Sequence, residues 1–340
     1  MEIVTLGLDL GKSYVHMIGF DSAGRIALRR RVRRGRLVAE VANMPACLIG
    51  MEACGGAHHL GRALEAQGHT VRLMPPQYVK PFVKANKNDY RDAEANAEAV
   101  QRPTMRFVPI KSETQQDLQT IHRVRQRLVG RRTALINQLR AILLERGITV
   151  AQGRRALDKR LPDILANEDN GLSARVRHLL EDMRVEWREL DLRIAEFDAE
   201  LAATARHNEA CRRLCEIPGI GPLNATALVA AVGNGAAFSR GRDMAAWLGL
   251  VPREHSTGRK QCLLGISKRG NKYLRTFLIH AARAALPHLA ERPDTLGRWL
   301  QGLLARVHRN KVAVALANKL ARFAWAVLAG DRPYQAQSHA

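Results

Sequence analysis

The chain has 340 residues, with 54 Lys and Arg against 32 Asp and Glu, a formal net charge of +22 at pH 7. Such a surplus points to a polyanionic partner, nucleic acid ahead of an anionic membrane surface. Hydrophobic residues make up 46% of the chain, which excludes a disordered basic tail, and no run of 18 uncharged apolar residues occurs, so no membrane span is expected.

The spacing predicts three strands over 3–9, 14–20 and 25–32, with a hairpin turn at Asp21-Ser22-Ala23-Gly24 between the second and third. The chain thus enters a strand at once, without the charged-then-apolar opening of a signal peptide. The third strand opens a basic block that holds Arg25, Arg29, Arg30, Arg31, Arg33, Arg34 and Arg36 with no acid among them. That density favours a phosphate-contacting surface over a merely solvated face. A fourth strand follows at 46–52, a helix at 57–67 and a fifth strand at 70–74. Pro75-Pro76 ends that strand, and Gln77–Lys84 reads as a short helix. Lys80, Lys84 and Lys87 lead into a further helix of about 89–101. Three strands followed by alternating helices and strands is an α/β order. It resembles the order of the ribonuclease H-like fold.

Four carboxylates stand out along this half. Asp9 interrupts the apolar run Ile3–Leu8, and Glu52 ends the apolar run Ala46–Met51. A carboxylate in a sheet core needs a cation, a donor or water beside it. Asp89 and Asp92 are three apart, so a helix places both on one face. Each acid taken singly is explained as well by an ordinary surface or capping role. Brought into one pocket they would repel, by roughly 4 kcal/mol for a pair ~4 Å apart at an effective dielectric near 20. Mg²⁺ suits such hard oxygen ligands, and two ions can clamp the attacking and leaving oxygens of a phosphodiester displacement.

From Ser112 to Arg146 the pattern is helical, with Leu118, Ile121, Val124, Leu128, Leu135, Leu139 and Leu143 at three- to four-residue spacing. A second long helix is predicted over 172–206 through Leu179, Met183, Leu190, Ile194, Phe197 and Leu201. Together they read as an antiparallel arm joined by a loop near 147–171. The first arm helix and the loop are basic, through Arg123, Arg125, Arg127, Arg131, Arg132, Arg140, Arg154 and Arg155. The arm is expected to mediate oligomerisation and to contact nucleic acid.

A helix, then Ile217-Pro218-Gly219-Ile220-Gly221-Pro222, then another helix is a helix-hairpin-helix pattern, in which Gly219 and Gly221 let the backbone approach a phosphate. The next segment, 238–248, sets Met244, Trp247 and Leu248 on one face, read as core. A polar loop follows, with adjacent hydroxyls at Ser256 and Thr257, then Gly258, Arg259 and Lys260. Lys268 and Arg269 lie just beyond. A serine among such cations has the surroundings to attack a phosphodiester, although Ser-Thr-Gly is also an ordinary turn. Residues 310–329 form an amphipathic helix on Val312, Leu316, Leu320, Phe323 and Val327. The five cysteines, Cys47, Cys54, Cys211, Cys215 and Cys262, are scattered and odd in number, which suggests free thiols in a reducing cytoplasm rather than a disulfide framework or a zinc site.

Six motifs in order, GLDLGK, IGMEACGG, NKNDYRDAEA, EIPGIGPLNA, AAWLGLVPREHSTGRKQ and ISKRGNKYLR, carry a resemblance over nearly the whole chain. The chain resembles the insertion-sequence transposases of the IS-one-ten class, within it the eleven-eleven subgroup, which are DEDD, RuvC-like, bridge-RNA-guided recombinases. The resemblance implies a RuvC-type catalytic domain whose acids are Asp9, Glu52, Asp89 and Asp92 with bound Mg²⁺, two ions per site. It implies a C-terminal domain whose serine, Ser256 or in its place Thr257, forms a covalent link to DNA. It also implies phosphate contacts from Arg259 and Lys260, a structured guide RNA, and a homo-oligomer, dimer or tetramer, in which one protomer's serine domain completes another's acidic site. Element ends and target DNA would be the substrates, in the cytoplasm and at the nucleoid, with no membrane involved. Further nucleic-acid contacts are expected from Arg29, Arg31, Arg33, Lys84, Lys87, Arg123, Arg131, Gly219, Gly221, Lys268 and Arg269.

The fold class expected is therefore α/β plus all-α, in three parts: a ribonuclease H-like domain over 1–108, a helical arm over 109–207, and a mainly helical transposase domain over 208–332, with a tail at 333–340. Two rival functions share some of these residues. A junction-resolvase type of nuclease would use the same acids with water as nucleophile. A sugar-kinase or actin-like ATP-binding protein would use DLGKSY as a phosphate hairpin, but a second Gly-rich phosphate loop is lacking and the charge suits a polyanion better.

Overall fold

The computed structural model describes residues 2–84, 88–258 and 260–335, and the chain divides into two compact units, Met1–Gln115 and Gln116–Ala340. Lys87 and Arg259, two of the expected nucleic-acid contacts, lie outside the described residues.

In the first unit β1 (Thr5–Leu10), β2 (Tyr14–Phe20) and β3 (Ile26–Arg33) form an antiparallel meander. The β2–β3 turn closes on Asp21, whose Oδ1 accepts from the Ala23 and Arg25 amides, both at 2.9 Å. A 3-10 turn at Arg34–Arg36 and α1 (Leu37–Val41) lead to β4 (Leu48–Glu52), α2 (Ala57–Glu65) and β5 (Thr70–Met74). The five strands stand in the order β3-β2-β1-β4-β5, with β4 parallel to β1 and β5 parallel to β4. The helix expected over 77–84 is shorter. It is α3 (Pro76–Val79) and then a 3-10 turn at Lys80–Phe82, because Pro81 has no N–H for the helical ladder and restricts the residue before it.

Side-chain alternation assigns the two faces of the sheet. Leu6, Leu8, Val15, Met17, Ile49 and Met51 point into one core with Leu37 and Val41 of α1 and Leu60 and Leu64 of α2. The residues between them face the other way, toward α4 (Asp89–Ala99), whose Ala93 and Ala97 pack with Ile18 and Phe20. Gly7 and Gly50, paired across β1 and β4, lie under α4. A Cβ on Gly7 would lie 2.0 Å from the Ala93 carbonyl oxygen, and one on Gly50 2.7 Å from that of Asn96. Glycine in the strands and alanine on the helix set how closely α4 approaches. Asn88 caps α4, its side chain accepting from the Tyr90 amide at 2.9 Å.

In the second unit the arm consists of α5 (Glu113–Leu144, whose first turn lies in the other unit's span), α6 (Arg154–Ala166) and α7 (Ala174–His207). Ion pairs Arg125–Asp198 at 2.5 Å, Arg132–Asp191 at 2.6 Å and Arg131–Glu186 at 3.1 Å run in opposite senses along α5 and α7, so these helices are antiparallel. The expected loop at 147–171 contains α6. Its Leu157, Leu161 and Ile164 are helically spaced and buried against Leu139, Leu143 and Leu180. Pro162 interrupts one backbone bond within α6, and burial of that stripe outweighs the loss. In α7 it is Leu180 that is buried, while Leu179 is 41% exposed.

Beyond the arm, α8 (Glu209–Cys215) and α9 (Pro222–Val232) flank a turn in which Gly219 has φ +92° and its would-be Cβ meets Ala285 at 2.9 Å. Then come α10 (Gly241–Trp247), the ribbon β6 (Pro252–Glu254) and β7 (Leu263–Ile266), and α11 (Lys272–Ala290), α12 (Thr295–Leu304) and α13 (Arg309–Gly330). Met244 and Leu248 are core, as expected, but Trp247 sits at the edge, 36% exposed, with its ring 5.5 Å from that of Phe238. Residues Arg309–Ala329 are long and apolar enough to cross a membrane by length and composition alone. Here they form a core helix, with Val312, Leu316, Leu320 and Val327 buried among α8–α12. All five cysteines are free, and burial pushes the Cys211 thiol up to about 12, which keeps it protonated.

His122 of α5 is 3% exposed between α9 and α11. Its Nε2 lies 3.0 Å from Thr226 Oγ1 and its Nδ1 2.9 Å from the Tyr273 hydroxyl. The Thr226 hydroxyl donates to the Pro222 carbonyl at 2.7 Å, so the imidazole donates from Nε2 and accepts from Tyr273 at Nδ1. That is the neutral tautomer, and burial, with Arg125 nearby, lowers the imidazole from 6.5 to about 4. Between those two values the unfolded chain takes up a proton that the folded one refuses, so stability falls as the pH drops from 6.5 to 4. The loss should approach roughly 3 kcal/mol at the acid end. Urea titrations across that window should show the slope in the native chain and its loss in His122→Gln; equal slopes would mean that His122 is not held neutral.

Candidate active site

Sheet pleat and register bring the site together. Asp9 lies two residues after Gly7, and Glu52 two after Gly50, so both carboxylates point to the α4 side of the sheet. They sit on neighbouring parallel strands, one step beyond the paired Leu8 and Met51. The first turn of α4 supplies Asp89 and Asp92, where the positive end of the helix favours negative charge. Burial pushes the Glu52 carboxyl up from its ordinary range, and the charges of Asp9 and then Asp92 push it the same way. The ligand atoms of Asp9, Asp89 and His16 all lie within 4.8 Å of one another. Three of the four expected acids are thus coupled through Glu52, and the fourth, Asp89, meets Asp9. Mutually opposed carboxylates, one of them resisting ionisation, make a site short of positive charge, and its hard oxygen donors fit a divalent cation.

The sequence reading left three parts of this site unassigned. His16 faces Asp9 across the β1–β2 pair, with Nδ1 3.5 Å from Asp89 Oδ2. Asn96, 1% exposed, donates from Nδ2 to the Leu8 carbonyl at 3.0 Å and pins α4 to the strand beside Asp9. Arg34, read as one more cation of the basic block, donates to the Gly11 carbonyl at 2.8 Å and the Gly55 carbonyl at 3.1 Å. It thereby ties the turn after β1 to the loop after β4. The signal for a close helix was present in the repeated Gly-x-acid of Gly7-Leu8-Asp9 and Gly50-Met51-Glu52.

The other expected residues are distributed as follows. Arg29 lies over the Tyr90 ring at 4.4 Å and Arg31 over Tyr14 at 3.8 Å, while Arg31, Arg33 and Arg36 share a concave patch with Tyr14. Lys84 pairs with Glu94 at 2.7 Å and Glu98 at 3.2 Å, which raises the ammonium above its usual value, Glu94 contributing first. In the second unit Arg123 is exposed, and Arg131 pairs with Glu186. Gly219 is held against α11, and Gly221 precedes α9 in extended backbone.

Ser256 lies in the tip between β6 and β7. Its hydroxyl donates to Glu254 Oε1 at 2.6 Å, and Gln261 Nε2 donates to the same oxygen at 3.2 Å. These bonds, Ser256 first, hold the Glu254 carboxyl below its usual range. Thr257 instead pairs its backbone with Lys260, whose amide donates to the Thr257 carbonyl at 3.2 Å. Exposed Lys268, at φ +53°, and Arg269 form the turn before α11. The Arg269 carbonyl accepts from buried Arg275 at 2.9 Å.

The first unit thus sets a carboxylate cluster on a mixed sheet, in a chain whose charge of +22 suits a polyanionic partner. Comparison with known proteins gives the class. The family model described as "Transposase IS116/IS110/IS902 family" matches residues 211–295, and a transposase model of the DEDD type matches 6–147. The chain is 47% identical to a "Probable family 20 transposase" of Pseudomonas aeruginosa, over 98% of this chain and 99% of that one. It is 45% identical to the transposase for insertion sequence element IS1111A of Coxiella burnetii, over 98% of this chain and 92% of that one. For the transposase of IS1328 from Yersinia enterocolitica the identity is 42%, covering 96% and 97%. The chain belongs to the IS110/IS116/IS902 family of transposases, enzymes that act on DNA, as the six motifs implied. Its DEDD domain carries a dependence on divalent metal.

Proposed function

We propose that this transposase moves its element by Mg²⁺-dependent cleavage and rejoining of DNA through a serine–DNA ester, guided by an RNA that the element encodes. The observation that carries the acidic half is the coupling of Glu52 to Asp9 and Asp92 on one face of the sheet. The strand order β3-β2-β1-β4-β5, with the acids at the ends of β1 and β4, supports a ribonuclease H-like, RuvC-type domain. Asp9, Glu52, Asp89 and Asp92 would hold two Mg²⁺ ions, which when bound would polarise the scissile phosphate and ease loss of the nucleophile's proton.

In this reading Ser256 is the nucleophile. Its hydroxyl already points its proton at Glu254, which is held as an acceptor. The Ser256 oxygen forms a bond to phosphorus, the bond to the leaving deoxyribose oxygen breaks, the serine proton passes to Glu254, and the leaving oxygen takes a proton from water to depart as a hydroxyl. A free hydroxyl of another strand then attacks the phosphoserine, its proton passing to water as Glu254 returns a proton to the serine oxygen, which restores a phosphodiester and the serine. No nucleotide is consumed, because the ester conserves the bond energy. Ser256 is favoured over Thr257, which spends its backbone on the tip's own turn and carries a bulkier Cβ. The Arg-rich β3, Lys260, Lys268 and Arg269 would contact phosphates, the helical arm would join protomers and grip nucleic acid, and the α8–α9 turn would act as a helix-hairpin-helix. The functional parts run 1–108, 109–207 and 208–332, in a homo-oligomer that works on DNA in the cytoplasm and at the nucleoid.

The test is a covalent adduct. The protein is expressed with its element and flanking RNA, supplied with Mg²⁺, denatured and digested, and the 254–260 peptide is searched for a linked nucleotide. An adduct on Ser256, absent from Ser256→Ala, is expected. Cutting without an adduct would instead support water as nucleophile, in the manner of a junction resolvase.

A further inference from the structure

We infer that His16 is a ligand of the divalent cation, so that one cation position of this site is a mixed nitrogen–oxygen one built from Asp9, His16 and Asp89. The inference rests on the metal-dependent reading above and adds to it a donor that the four acids do not include.

The backbone sets this arrangement. Asp9 and His16 are direct partners in the β1–β2 register, so their side chains rise side by side on the α4 face. Asp89, the first residue of α4, closes over them from the helix. All three ligand atoms lie within 4.8 Å of one another. Donors sharing one ion at about 2.1 Å stand at most about 4.2 Å apart, so a small inward movement suffices. The imidazole is also held in orientation. Tyr90 meets it edge-on at 4.7 Å and 74°, and Arg29 lies over the Tyr90 ring. Fixing the ring of a ligating histidine from a second layer is a recurrent feature of metal sites.

A simple ion pair accounts for less of this. The Asp89 side chain is 60% exposed and His16 12%, and a half-solvated pair gains little. Nor does such a pair call for Asp9 to share the same small volume. A nitrogen donor changes the choice of metal. Mg²⁺ takes oxygen ligands, whereas imidazole suits first-row transition ions. The Asp9–His16–Asp89 position should therefore prefer Mn²⁺ to Mg²⁺, while Asp9, Glu52 and Asp92 remain an all-oxygen set.

Pulsed EPR of the full-length chain with Mn²⁺ tests this without any reaction. The native protein should show ¹⁴N modulation from a bound imidazole, replaced by the ¹⁵N pattern when histidine is ¹⁵N-labelled. His16→Gln should lose that coupling and bind Mn²⁺ at least about tenfold more weakly, the low end of what even an outer partner contributes. Its Mg²⁺ affinity, read by competition, should barely change. Mn²⁺ binding that Asp9→Asn abolishes but that shows no ¹⁴N coupling in the native chain would overturn the role of His16 and leave the carboxylate site standing. Coupling that persists in His16→Gln would overturn it as well, by pointing to another histidine. Mn²⁺ binding indifferent to Asp9→Asn would remove both readings. Absence of ¹⁴N coupling in the native chain overturns the proposal whether or not the variant folds, and His16→Asn, a smaller change, carries the assignment to this residue if His16→Gln does not fold.

Discussion

Asp9→Asn should reduce Mg²⁺-dependent DNA strand cleavage at least about a thousandfold while the chain still binds DNA. Asp9 is the carboxylate common to the whole site, since it raises Glu52 and shares the small volume with His16 and Asp89. Asparagine keeps the shape and a neutral oxygen but removes the charge that would hold a cation. Several kcal/mol of charge stabilisation lost at the transition state amounts to about three powers of ten in rate. Binding should survive because it comes from Arg and Lys on other surfaces, and losing one negative charge favours a polyanion slightly. A cleavage assay on an element-end duplex, paired with anisotropy measured over a range of salt, separates the two properties. Asp89→Asn and Glu52→Gln should behave alike. Cleavage by Asp9→Asn near the native rate would reduce these carboxylates to surface groups.

Gly7→Ala should cost roughly 3 kcal/mol or more and lower the first unit's melting temperature by about 10 °C or more. The added Cβ would lie 2.0 Å from the Ala93 carbonyl oxygen and 2.5 Å from the Ala97 nitrogen. Both are backbone atoms of α4, so no side chain can rotate away, and the helix must lift from the sheet. Lifting α4 would also move Asp89 and Asp92 and break the Asn96–Leu8 hydrogen bond, so cleavage should fall together with stability. Gly130→Ala is the contrast. It lies within α5 with nothing within 4 Å of its would-be Cβ, and should stabilise the chain by roughly 0.5–1 kcal/mol through helix propensity. Calorimetry or thermal circular dichroism on the two variants reads both. A Gly7→Ala chain as stable as the native one would mean that α4 does not pack this closely.

Much of the first unit was legible because a strand's side chains alternate with period two. An apolar run that breaks on an acid, seen at Asp9 and again at Glu52, marks both a strand and the end of it at which the two carboxylates meet. The arm was legible for the equivalent helical reason, with Leu128, Leu135, Leu139 and Leu143 recurring on one face and buried there. Short-range cues misled where a local breaker met a tertiary demand. Pro162 suggested a loop, yet α6 forms because Leu157, Leu161 and Ile164 have a groove to fill. Leu179 and Leu180 are equally apolar, and only the packing of α7 selects Leu180 for the core.

By itself, then, the sequence determined the family through six ordered motifs, the polyanionic partner through net charge, and the placing of Asp9 and Glu52 at strand ends through the apolar runs they close. Those properties reside in residue identity and local spacing. Only the tertiary structure brought His16 to Asp9, Asn96 to the Leu8 carbonyl, and Arg34 to the carbonyls of Gly11 and Gly55. The physical reason is that these are contacts between residues distant in the chain or on facing strands. Register, helix approach and guanidinium reach fix them, and none of these is written in the spacing of neighbouring residues. Glu254 beside Ser256 is the local counterpart. The two are two residues apart in sequence, but it took the conformation of the ribbon tip to turn that hydroxyl toward the carboxylate.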